Sequence, residues 1–101
     1  MAKVFTVENV KSDLHELIDQ FHGSSEEETA MVKEALNITF NLPLMEDSIV
    51  AIVMQVFEHP ETANLNIVAF SANMAHTCPF PFMVDAMTSI LIELISDFCG
   101  V

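Results

Sequence analysis

Apolar residues recur along this chain at steps of three and four, the signature of one face of an α-helix. Val7, Val10, Leu14, Leu17 and Phe21, with Ile18 alongside, form the first such stripe. Thr6 suits the cap at its start and Gly23 suits its stop. A second helix announces itself at Ser25, followed three residues later by Glu28. This is a capping box, and Glu26 and Glu27 favour the positive end of the helix dipole. Val32, Leu36 and Thr39, and beside them Met31, Ala35, Ile38 and Leu42, continue it until Pro43, which is expected to end it.

A third helix is expected from Glu46 or Asp47 to Glu58, with Asp47 or Ser48 as its N-cap. Ile49, Ile52, Val53 and Val56 make one stripe, and Val50, Met54 and Phe57 another. A helix apolar on most sides belongs at the centre of a bundle. Pro60 suits the first position of a fourth helix. Leu65, Val68, Ala72 and Ala75 share one of its faces, and Ile67, Phe70 and Met74 a neighbouring one. Its small residues Ala69, Ser71, Ala72 and Ala75 permit close approach of another helix. The alternating prolines of Thr77-Cys78-Pro79-Phe80-Pro81 impose a loop.

The last helix, about Phe82 to Phe98, has a narrow polar stripe of Asp85, Ser89, Glu93, Ser96 and Asp97. Apolar side chains cover the rest, an arc wider than one neighbouring layer can bury. The expectation is an all-α fold: one domain over residues 1–101, a compact bundle of four to five helices. It is expected to form a homodimer through the last helix, with Met83, Met87, Ile90, Leu91, Leu94, Ile95 and Phe98 as the interface. Asp85, Glu93 and Asp97 would form an acidic face beside it.

Composition sharpens this picture. The 101 residues are 51% hydrophobic, yet fifteen acids against three bases leave a formal net charge of -12. Mean hydropathy is +0.43. Charged residues make up 18%, below the ~25% of an ordinary domain. Area scaling lets a chain of this mass bury about two-thirds of its surface. Few charged side chains then remain to cover the outside, and an exposed apolar patch usually marks an interface.

There is no Arg, Tyr or Trp, and the three lysines, Lys3, Lys11 and Lys33, all lie in the first third. Nucleic-acid binding draws on cations that displace counterions from phosphate, so no nucleic-acid partner is expected. Anionic membrane surfaces are excluded on the same ground. No apolar run approaches the ~18 residues of a membrane span. The opening MAKVFTVENV lacks the basic and apolar segments of a signal peptide. Cys78 and Cys99 have no metal or redox spacing. A reduced, cytoplasmic setting follows as the expectation.

Candidate chemistry is sparse. His15, Asp19 and His22 fall at i, i+4 and i+7 on the polar face of the first helix, a spacing that suits a divalent metal. Lys11 one turn earlier opposes a cation there, and a solvated face explains the same pattern. Glu58, His59 and Glu61 cluster at a helix junction, where capping accounts for them equally well. His76-Thr77-Cys78 has the residue types of a Cys–His nucleophile, but apolar and acidic surroundings raise a thiol pKa rather than lower it. The carboxylate pairs Asp85/Glu93 and Glu93/Asp97 read as a solubilising face. With glycine only at 23 and 100 there is no phosphate loop and no nucleophile elbow. No enzyme activity, catalytic residue, metal site or cofactor is therefore assigned.

Glu46-Asp47-Ser48-Ile49 resembles the attachment site of acyl carrier proteins, which implies Ser48 as the carrier of phosphopantetheine. The resemblance covers four residues of 101, and Met45 and Glu46 stand where the family places a glycine.

The composition favours a non-catalytic interaction module: a small acidic regulator, adaptor or inhibitor of a protein with a basic surface. An inhibitor of a nucleic-acid-handling enzyme, of the kind a phage encodes, is one concrete form. A small-ligand or acyl-chain carrier and a metal-dependent enzyme are the alternatives.

Overall fold

A computed structural model describes residues 3–21, 25–38, 42–77 and 81–101. Five α-helices follow in order: α1 (Val7–Asp19), α2 (Glu26–Ile38), α3 (Leu42–Glu58), α4 (Ala63–Thr77) and α5 (Pro81–Cys99). A single 3-10 turn, Pro60–Thr62, joins α3 to α4. The described residues contain no strand. His22, Gly23, Thr39 and Cys78 lie outside them.

Local chemistry sets the helix starts. Thr6 is extended, and its hydroxyl accepts the Asn9 N–H at 3.0 Å. Ser25 does the same for the Glu28 N–H at 3.0 Å. Each bond satisfies one of the four donors that a helix start leaves unpaired.

Two boundaries differ from the sequence expectation. Pro43 does not close α2; it sits in the first turn of α3, which opens at Leu42. A proline in a first turn costs no hydrogen bond, because that N–H has no partner within the helix anyway. Asp47 and Ser48 therefore lie inside α3 rather than at its cap. Pro60 likewise opens a 3-10 turn and not α4 itself. There the Thr62 hydroxyl donates to the His59 carbonyl at 2.7 Å, and Asn66 Nδ2 reaches the Thr62 carbonyl at 3.0 Å.

The arrangement of layers is the main departure. α5, not α3, is the axis of the bundle: it packs against α3, α4 and α1. Met83, Met87, Leu91 and Leu94 are wholly buried, and Ile90, Ile95 and Phe98 are buried with them. The seven side chains expected to face a second subunit thus form the core of the single chain. Three neighbours from its own sequence cover most of the wide apolar arc of α5, and Ile92 is left 47% exposed.

α3 contributes Ile49, Val50, Val53 and Val56 to this core but leaves Met54 and Phe57 exposed. α1 adds Val10, Leu14 and Ile18. α4 adds Phe70 and Met74 and leaves Leu65 and Val68 outside.

The ends of the chain are tied together. The Lys3 N–H donates to the Asp97 carbonyl at 2.7 Å, filling one of the orphan acceptors at the C-terminus of α5. Phe5 stacks on Phe57 with centroids 5.2 Å apart and meets Phe98 edge-on at 6.4 Å. Gly100 follows α5 at φ 72°, a left-handed cap that glycine adopts without strain.

Candidate functional site

A groove of about 460 Å³ opens to solvent among α1, α2 and α5. Leu17 and Phe21 line it from α1 and the residues just beyond. Phe82, Ala86 and Ile90 line it from α5. Leu17 and Phe21 lie on the edge of the α1 stripe, one step around the helix from Leu14 and Ile18. They are half-buried for that reason, apolar and yet accessible. The polar lining is Gln20, Glu28, Asp85, Ser89 and Glu93. Asp85, Ser89 and Glu93 recur every four residues along α5, so three polar groups follow one edge of the apolar floor.

The groove is electrostatically one-sided. Among the described residues it is lined by three carboxylates and by no lysine or histidine. The three lysines of the chain are held elsewhere by its own oxygens. Lys3 Nζ meets Asp13 at 2.6 Å and Asp97 at 3.8 Å, Lys11 meets Asp47 at 3.5 Å, and Lys33 donates to the Asp19 carbonyl at 3.0 Å. The hydrogen bond that Lys3 donates to Asp13, reinforced by nearby negative charge, raises the pKa of its ammonium above the ordinary value. Among the described residues, neither Asp85 nor Glu93 has a cationic partner within the chain.

The acidic face expected from the sequence is therefore divided. Asp85 and Glu93 edge the groove, whereas Asp97 is turned to the chain's own Lys3. Sequence reasoning missed Glu28, Leu17, Phe21 and Phe82 as members of one site. Leu17 and Phe21 share one stripe, but no local spacing connects them to Glu28 on α2 or Phe82 on α5.

The other candidates are dispersed. His15 is paired with Glu46 on α3, and Lys11, one turn earlier, with Asp47. The two pairs clasp α1 to the first turns of α3. His22, expected as the third ligand beside His15 and Asp19, lies outside the described residues, and among these no group of three His, Cys, Asp or Glu could hold a metal ion. His59 Nδ1 lies 3.7 Å from Glu61 on the exposed junction. Ser48 is exposed within α3, and both acids beside it are drawn to α1. His76 is exposed near the end of α4.

Cys99 is a free thiol that donates to the Val53 carbonyl at 3.5 Å, and burial raises its pKa. That is the opposite of what an activated nucleophile requires. No described helix is long and apolar enough to cross a membrane.

Comparison with family models, with curated proteins and with solved structures returns no match for this chain.

Proposed function

We propose that the protein is a non-catalytic interaction module that takes a basic, amphipathic segment of a partner protein into the groove among α1, α2 and α5. The observation that carries this reading is the pairing of an apolar floor, Leu17, Phe21, Phe82 and Ile90, with Glu28, Asp85 and Glu93 around it. A segment bearing apolar side chains on one face and lysine or arginine on its flank meets both. The apolar side chains supply affinity by leaving water. The carboxylates, and the net charge of -12 behind them, steer the approach and reject acidic competitors. A reducing, cytoplasmic setting accords with the free Cys99 thiol.

The groove volume of about 460 Å³ also lies within the range of small-molecule sites. A small-ligand carrier is therefore the second reading, with an amphiphilic cation as the ligand that the lining favours.

The test is a titration with a synthetic basic amphipathic peptide carrying one tryptophan. The protein has no Trp and no Tyr, so the emission reports the peptide alone. Binding is expected to weaken about tenfold or more from low to high salt. Asp85→Asn with Glu93→Gln should weaken it at low salt and flatten the salt dependence. Equal binding of an acidic peptide of the same apolar pattern would refute the reading, as would indifference to the double substitution.

A further inference from the structure

We propose that a second copy of this chain docks on the outward face of α4, antiparallel and about a two-fold axis. This inference is independent of the groove, which no α4 residue lines.

The first observation is an apolar stripe that no described residue covers. Leu65 is 71% exposed and Val68 66%. Ala69, Ala72 and Ala75 are exposed as well and continue the same face at helical spacing. The second is charge. Fourteen of the fifteen carboxylates stand on the other four helices, and the fifteenth, Glu61, is on the turn before α4. From Ala63 to Thr77 there is no Asp, Glu or Lys. A basic partner would find nothing to pair with on this face. A second copy, itself at -12, can approach here without setting carboxylate against carboxylate across the contact.

The third is self-complementarity. The bulky residues lie toward the start of α4 and the alanines toward its end. An antiparallel pair centred at the level of Phe70 sets Leu65 against Ala75 of the second copy. The same register sets Val68 against its Ala72. Both pairs are satisfied at once, and each is repeated by the two-fold axis, as an isologous contact requires. Large against small lets the helices approach closely, at the short end of the usual 8–10 Å.

The stripe from Leu65 to Ala75 is only about 15 Å long. An interface of that length is smaller than those of stable complexes, so the dimer is weak and concentration-dependent. Salt screens the repulsion between the two acidic bodies and strengthens the association. This is the opposite sign to the groove reading, so the two can fail separately.

The experiment is sedimentation equilibrium of the full chain from micromolar to millimolar concentration, at low and at high salt. The mass is expected to rise from 11.2 kDa toward twice that value and no further, more readily in high salt. Val68→Glu should weaken association about tenfold or more while the circular dichroism spectrum stays unchanged, because residue 68 touches little of its own chain. Ala72→Leu adds apolar surface but fills the space that Val68 of the second copy needs. It should weaken the dimer, whereas it would strengthen unspecific sticking. A mass fixed at 11.2 kDa throughout would overturn the proposal. So would growth beyond a dimer, or unaltered association in either variant.

Discussion

α4 and α5 are both apolar helices with few charges, and the bundle uses them in opposite ways. Nine of the nineteen residues of α5 are buried, against two of the fifteen of α4. α5 is enclosed because α1, α3 and α4 pack around it. α4 lies on the outside and touches its own chain along one face, through Phe70 and Met74, with Leu65 and Val68 left in water. The width of an apolar arc measures how much cover a helix needs; it does not say whether the cover comes from its own chain. Here the wider arc is satisfied internally, and the helix with alanines on its outer face is the one left open.

The largest expected effect separates the two helices directly. Leu91→Ala removes a wholly buried side chain from the axis and should cost about 2–5 kcal/mol in urea unfolding. Leu65→Ala on α4 should change monomer stability by no more than about 0.5 kcal/mol. Similar losses at the two positions would erase the distinction.

The next concerns the end of α5. Phe5→Ala deletes the ring that stacks on Phe57 and meets Phe98 edge-on, at an expected cost of about 1–2 kcal/mol. A negligible loss would mean that the N-terminal segment lies on α5 without supporting it.

The smallest is a pH effect. The Lys3 pKa is raised above 10.5 by Asp13 and its neighbours. A group whose folded pKa is raised stabilises fully below its unfolded pKa, and the contribution fades as pH climbs through the folded value. The difference in thermal midpoint between the natural chain and Lys3→Met should therefore be constant to about pH 10 and shrink above it. A difference that grew with rising pH would reverse the sign of the linkage.

What the sequence made legible was local. Thr6 and Ser25 reach N–H groups three residues away, so their caps could be read from spacing alone. The end of α3 at Glu58 follows from Pro60 in the same way, whereas Thr77 and Pro81, expected in a loop, are the last residue of α4 and the first of α5. Pro43 was ambiguous because proline both ends one helix and begins the next, and only the packing of Leu42–Glu58 as one element decides. The place of each helix in the bundle could not be read, since α3, α4 and α5 all have apolar sides in excess. The groove was half legible: Asp85, Ser89 and Glu93 share an edge of one helix, but Glu28 and Phe21 join them through the fold. The pairing of His15 with Glu46, thirty-one residues apart, left no local trace.

The central claim is that α5 is the buried axis of a single chain. Methionine oxidation tests it most directly, because Met83 and Met87 on α5 are 0% exposed while Met31 and Met54 are 41% and 39% exposed. Dilute peroxide converts accessible thioethers to sulfoxides, and peptide mass spectrometry reads each site. In dilute, low-salt solution, where the chain is monomeric, Met31 and Met54 should oxidise first, with Met83 and Met87 protected until the fold opens. Oxidation of Met83 and Met87 as fast as Met31 under those conditions would contradict the account.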